Sequence, residues 1–114
     1  MRVLVFSLVL GAFVFAAAFQ GAKAPTYKDV APILKAHCEG CHSGPKAAHG
    51  LNLTSYANII KGDKEGKVVV PRSMQTSRMA KVLHGKPMQM PPGAKLPAAN
   101  IKMIENWIKG GAKK

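Results

Sequence analysis

The hydrophobic positions of the chain recur at helical spacing in four segments. In the first, residues 26–38, one face repeats at i, i+3, i+4 and i+7 and consists of Val30, Ile33, Leu34 and His37. Thr26 followed by Asp29 has the order of a capping box, which predicts where this helix begins. Three more helices are predicted, over residues 54–60, 74–84 and 96–109. The last of them has an apolar stripe made of Ile101, Ile104, Trp107 and Ile108.

The segments between these helices have the composition of loops and turns. Residues 43–50 are rich in Gly, Pro and Lys, and residues 62–67 have the composition of a solvated turn. Three valines, Val68 to Val70, make a brief extended segment that Pro71 ends. This segment is too short and isolated to build a sheet. The pattern therefore predicts an all-α fold of about four short helices.

An apolar run, interrupted only by Ser7 and Gly11, precedes the helices. It covers residues 3–19, follows the single positive charge of Arg2, and ends in the small residues Ala16 to Ala18. These features are typical of a secretory signal peptide, which we place at residues 1–18, with residue 24 as a second candidate end. A retained membrane anchor is the alternative, because about 17 residues reach the lower limit for crossing a bilayer. Residues 25–112 then form one small domain.

The charge of the chain is strongly positive. It carries 17 Lys and Arg against 5 Asp and Glu, and all the basic residues except Arg2 follow residue 18. Such a surface favours acidic protein partners or anionic membrane surfaces. We expect no nucleic-acid partner, because an exported protein without a recognition motif has little use for one.

Residues 38–42 read C-E-G-C-H and carry the main chemical signal. The pattern C-x-x-C-H is typical of c-type haem attachment, in which two thiols bond the porphyrin and the next imidazole binds the iron. It predicts haem c held covalently by Cys38 and Cys41, with His42 as an axial ligand. A backbone carbonyl near Pro45 is expected to accept the Nδ1–H of His42.

Three other chemical roles are open to a pair of cysteines at this spacing. A redox dithiol usually opens a helix in a thioredoxin-like setting, whereas this pair ends a helical pattern with no strands around it. A zinc site would need two further ligands, and the chain has no other cysteine. A disulfide across two residues would be strained. Haem attachment is therefore the favoured interpretation.

A second chemical signal lies in residues 86–93, K-P-M-Q-M-P-P-G. A methionine thioether is a soft ligand that suits haem iron, and prolines stiffen the loop that presents it. Met90 directly precedes Pro91 and has the more restricted backbone, whereas Met88 follows only Pro87. We predict Met90 as the distal ligand and keep Met88 as the competitor.

The remaining polar candidates are given lesser roles. His49 is predicted to be an exposed loop residue, and His84 a structural residue at a helix C-terminus. Arg72 and Arg78 are candidates for pairing with haem propionates. The predicted lining of the pocket is apolar and consists of Leu51, Leu53, Tyr56, Ile59 and Ile60.

The order of these motifs resembles that of the small monohaem class I c-type cytochromes, in particular a bacterial branch with an M-P-P ligand loop. The resemblance rests on V-A-P-I-L-x-x-x-C-x-x-C-H, G-L-x-L, V-V-P, M-P-P and N-W-I-K-G-G-A, and it covers residues 27–112. It implies a small cytochrome c fold around one haem, in which the first and last helices touch. The roles it implies are thioether attachment by Cys38 and Cys41, proximal ligation by His42 and distal ligation by Met90. Arg72 departs from the family, which often has glycine there.

Iron with two protein ligands has no open position for oxygen or peroxide, so its expected function is to carry single electrons. We therefore predict an exported, periplasmic electron carrier and not an enzyme, with redox partners that dock through acidic surfaces. Two alternatives remain open. A retained leader would make the protein a membrane-anchored haem subunit of a respiratory or photosynthetic complex. A labile methionine would leave an open iron with peroxidase-like or gas-binding chemistry.

Overall fold

The predicted all-α fold is confirmed by a computed structural model of the protein, which describes residues 23–114. Four α-helices and one 3₁₀ turn follow one another along this part of the chain: α1 Tyr27–His37, the 3₁₀ turn Ala48–Gly50, α2 Tyr56–Lys61, α3 Arg78–Leu83 and α4 Ala98–Lys109. Between residues 23 and 114 there is no strand, only an isolated antiparallel bridge between Asp63 and Gly66. The signal peptide predicted at residues 1–18 lies outside the described residues.

The core lies where α1 and α4 pack against each other, as the resemblance implied. Val30 and Leu34 of α1 are buried, and so are Ile104 and Trp107 on the apolar stripe of α4. The predicted capping box is present at the start of α1, where the backbone N–H of Thr26 donates to the Asp29 carboxylate at 2.8 Å. The two long amphipathic helices therefore form the frame against which the shorter elements pack.

The C-terminal segment closes one end of this frame. The indole Nε1–H of Trp107 donates to the carbonyl oxygen of Lys113 at 2.9 Å, and the same oxygen accepts from the backbone N–H of Tyr27 at 2.8 Å. Tyr56 of α2 donates its hydroxyl to the carbonyl of Ala112 at 2.8 Å. These bonds hold the start of α1, the end of α4 and α2 together.

Helix α3 starts later than the sequence predicts, at Arg78 and not at residue 74 or 76. The reason is Ser77, a fully buried residue whose hydroxyl accepts from the N–H of Val70 at 2.8 Å and lies 3.1 Å from the Val70 carbonyl. These two bonds hold the chain just before α3 against the extended Val68–Val70 segment. The residues before Arg78 therefore do not join the helix.

The turn after Pro71 contains the departure from the family pattern noted above. Arg72 has φ of 67°, the left-handed conformation that glycine adopts most easily. Its N–H donates to the carbonyl of Ile108 at 2.7 Å, which attaches the turn to α4. Arg72 therefore keeps the backbone conformation that glycine favours.

None of the described helices is long and apolar enough to cross a membrane.

Candidate haem-binding site

The C-x-x-C-H motif forms a turn at the end of α1. Cys38 caps the helix through its N–H bond to the carbonyl of Leu34 at 2.9 Å, and the N–H of His42 donates to the Cys38 carbonyl at 3.1 Å. The N–H of Ala48 then donates to the carbonyl of Cys41 at 2.8 Å, so the following loop folds back onto the motif. As a result Cys38, Cys41 and His42 all line one cleft.

The loop also fixes the imidazole of His42. The ring Nδ1 lies 3.2 Å from the carbonyl oxygen of Leu51, and the backbone carbonyl of His42 accepts from the N–H of Leu53 at 2.8 Å. Because a carbonyl oxygen only accepts, Nδ1 carries the proton and Nε2 keeps a lone pair for a metal. The predicted acceptor near Pro45 is wrong. The 3₁₀ turn reverses the chain, so Leu51 and not Pro45 meets the ring.

The cleft has a volume of about 630 Å³ and mainly apolar walls. This volume falls within the range of about 300–1,000 Å³ that is usual for cofactor sites. Its walls include Leu34, Leu51, Leu53, Val68, Met79 and Ile104. Leu51 and Leu53 are thus confirmed as lining residues.

The prediction that α2 residues line the cleft is wrong. Ile59 is fully buried in the core, and Ile60 packs against the core from α2. The Tyr56 ring lies against Tyr27, with 5.6 Å between ring centroids. Neither the apolar spacing nor the composition of α2 indicates which side of the core it covers, because a helix of six residues carries apolar side chains on more than one face.

Both candidate methionines lie at the cleft, but they are held differently. Met88 is 56% exposed, whereas Met90 is half-buried. The backbone N–H of Met90 donates to the carbonyl of Val82 in α3 at 2.9 Å. The structure therefore brings both sulfur-bearing residues to the same cleft as the cysteines and His42, and attaches the backbone of Met90 to a helix.

A charged cluster at the edge of the cleft was not foreseen from the sequence. The Arg78 guanidinium binds both carboxylate oxygens of Asp63, at 2.7 and 2.9 Å, and reaches Glu65 at 3.4 Å. The hydrogen bond from Arg78 is the main reason that the pKa of Asp63 lies below its usual range. His49 lies 3.4 Å from Glu65 through Nε2. The sequence feature that could have indicated this cluster is the pair of acidic residues in turn 62–67, because the chain has only 5 acidic residues.

The two arginines proposed as propionate partners differ in position. Arg78 lines the cleft with its guanidinium already paired to carboxylates. Arg72 lies away from the cleft lining, with its side chain next to Gly111. Two of the three other histidines agree with the roles predicted for them: His49 is exposed, and His84 pairs with Glu105 of α4.

The environment of Cys38 bears on the redox-dithiol alternative. Burial, aided by the charge of Glu39, raises the pKa of the Cys38 thiol to about 11. Redox-active cysteines have lowered pKa values, because the thiolate is the reactive form. Cys38 therefore lacks the electrostatic setting of a reactive dithiol.

The residues of the cleft fit a covalently attached haem. Two free cysteines and an imidazole with an available Nε2 line an apolar cavity, with a thioether residue at the same cleft. A zinc centre is less well matched. Within residues 23–114 no group of three or more His, Cys, Asp or Glu side chains comes together as a metal site.

Comparison with known proteins points to the same segment of the chain. Residues 38–93 match the model of a family described as planctomycete cytochrome C. The match begins at Cys38 and ends at Gly93, just after the M-P-P sequence. It therefore contains both the C-x-x-C-H motif and the methionine loop. No curated protein and no solved structure matches the chain.

Proposed function

Because the chain is a c-type cytochrome, a haem-binding electron-transfer protein and not an enzyme, we propose that it is an exported carrier of single electrons. In this proposal it holds one haem c, and His42 and Met90 are the two axial ligands of the iron. When bound, haem c supplies a one-electron ferric–ferrous couple. The observation that carries the proposal is the convergence of both cysteines, His42 and Met90 on one apolar cleft.

Each residue of the cleft has a distinct task. Cys38 and Cys41 anchor the cofactor covalently, so electron transfer does not depend on cofactor affinity. His42 presents Nε2 as the proximal ligand, because the Leu51 carbonyl holds the proton on Nδ1. Met90 offers a neutral, soft sulfur, which favours the ferrous state relative to harder ligands. With His42 and Met90 both bound to the iron, the haem would offer no free position to oxygen or peroxide.

The surface supports docking with acidic redox partners. The residues that we propose for docking are six exposed lysines: Lys46, Lys61, Lys64, Lys67, Lys86 and Lys95. Positive charge around a redox site raises the rate of encounter with an acidic partner. Redox partners usually form small, weak interfaces that release quickly. Export of the protein rests on the leader predicted at residues 1–18.

The decisive experiment compares Met90→Ala with Met88→Ala in purified holoprotein. The ferric wild type should show the weak near-infrared sulfur-to-iron band. Met90→Ala should lose this band, lower the reduction potential and bind carbon monoxide rapidly, because the soft sixth ligand is gone. Met88→Ala is the matched control, since it removes a thioether two residues away and should leave all three properties unchanged.

Two outcomes would change the proposal in different ways. Loss of the band in Met88→Ala but not in Met90→Ala would move the ligand to Met88 and leave the electron carrier intact. A wild type without the band that binds carbon monoxide rapidly would show an open iron, and the electron-carrier proposal would fail in favour of gas-binding or peroxidase-like chemistry.

A further inference from the structure

The loop that carries Met90 makes few backbone contacts of its own. Between residues 87 and 95 of the described chain, the N–H of Met90 is the only backbone donor bonded to a backbone carbonyl outside this stretch, that of Val82 at 2.9 Å. Three prolines in this stretch have no N–H to donate. A single bond on one side of Met90 would leave the register of the loop poorly defined, with two methionines two residues apart.

The side chain of Gln89 supplies the missing attachment. Its Nε2 lies 2.9 Å from the carbonyl oxygen of Met90 and 3.3 Å from that of Leu83, at the end of α3. The Val82 carbonyl lies 3.5 Å from the same nitrogen. Carbonyl oxygens accept hydrogen bonds and cannot donate them. The three carbonyls therefore require the nitrogen of the Gln89 amide, and not its oxygen, to face them.

These contacts hold Met90 on both sides of its backbone. Its N–H is bonded to α3 directly, and its C=O is bonded to α3 through the Gln89 amide. The other end of that amide, Oε1, would lie 3.4 Å from a Cβ built on Gly85, so the amide fits against the turn that ends α3. Met88, by contrast, is the most exposed large apolar residue of the described chain.

We propose that Gln89 is a positioning residue for the iron ligand. It selects Met90 over Met88 and slows the departure of the Met90 sulfur from the iron. The inference rests on the proposed His42 and Met90 ligation. It adds a residue that touches neither iron nor porphyrin in this role and acts only through the Met90 backbone.

The test replaces Gln89 by leucine, which keeps the approximate size of the side chain and removes both donors. Gln75→Leu is the matched control, because Gln75 is exposed and makes no side-chain hydrogen bond within residues 23–114. The near-infrared band of the ferric holoprotein is followed as pH is raised, and carbon monoxide binding to the ferrous protein is measured at pH 7. Helical circular dichroism under the same conditions reports folding.

Loss of one or two hydrogen bonds should weaken Met90 ligation roughly tenfold. The pH at which half the band is lost should then fall by about one unit if one proton is coupled to the loss, and carbon monoxide should bind roughly tenfold faster. Helix content should stay at the wild-type level, and Gln75→Leu should change nothing. Gln89→Ala serves as a second variant if leucine does not fit.

The proposal is overturned if Gln89→Leu and Gln89→Ala match Gln75→Leu in both measurements. It is also overturned if the band disappears only together with helix content, because Gln89 would then serve overall stability and not ligation. Failure of the proposed function looks different: the wild type itself would lack the band, or Met90→Ala would keep it.

Discussion

Replacing Ser77 by alanine should destabilise the folded protein without altering the haem ligands. Ser77 is fully buried, and its hydroxyl bonds to both backbone polar groups of Val70. These bonds join the start of α3 to the extended segment 68–70, whose first residue, Val68, lines the cleft. Alanine removes the hydroxyl and creates almost no cavity, so the effect measures the hydrogen bonds.

The size of the effect follows from which partners lose a bond. The Val70 carbonyl also accepts from the N–H of Ser73 at 3.0 Å, so it stays satisfied in the variant. The Val70 N–H, whose bond to Ser77 is part-buried, is left without its protein acceptor, which costs about 2 kcal/mol. For a domain of this size that corresponds to a fall of roughly 10 °C in Tm.

Urea unfolding of the ferric holoprotein, followed by helical circular dichroism, measures the change in the free energy of unfolding. Ser73→Ala is the control, because its hydroxyl bonds to Thr76 at an exposed site and its loss should cost less than about 0.5 kcal/mol. An unchanged denaturant slope would show that the unfolded state is unaffected. If Ser77→Ala and Ser73→Ala were equally stable, the bonds to Val70 would not stabilise the fold as argued.

Three further predictions concern acid stability, turn geometry and partner docking. Arg78 lowers the pKa of Asp63, so the folded state binds this proton less readily than the unfolded chain does; the resulting stability is complete above the usual Asp pKa of about 4 and is lost as pH falls through the lowered value. Asp63→Asn should therefore be less stable than the wild type near pH 6 and lose less stability below about pH 4, and parallel pH dependences in urea unfolding would exclude the ion pair as the cause. A Cβ at Gly62 would overlap the Gly66 carbonyl, and φ there is 88°, so Gly62→Ala should cost more than about 2 kcal/mol. Gly40→Ala, with nothing within 4 Å of its added Cβ, should cost less than about 0.5 kcal/mol, and equal losses in thermal unfolding would refute the steric argument. Electron transfer to an acidic redox protein should slow as salt rises, since charges are screened beyond ~8 Å at physiological ionic strength; a rate independent of salt in stopped-flow measurements would show that the lysines do not steer docking.

Features that depend on neighbours along the chain can be predicted from the order of residues alone. The spacing of Cys38, Cys41 and His42 indicates haem attachment, because the chemistry requires three groups within five residues. The stripe of α4 and the capping box at Thr26 likewise predicted helices whose bounds the structure reproduces within two residues. Both signals are local, so no knowledge of the rest of the fold is needed to recognise them.

The contacts between distant segments, in contrast, become visible only in the folded chain. Leu51 and not a residue near Pro45 accepts the His42 proton, because loop closure by the 3₁₀ turn brings its carbonyl to the ring. Arg78 pairs with Asp63 across 15 positions of the chain, a partner that no periodicity indicates. Backbone carbonyls and charged side chains bond to whatever group the folded chain brings within about 3 Å, and their sequence separation places no limit on the choice.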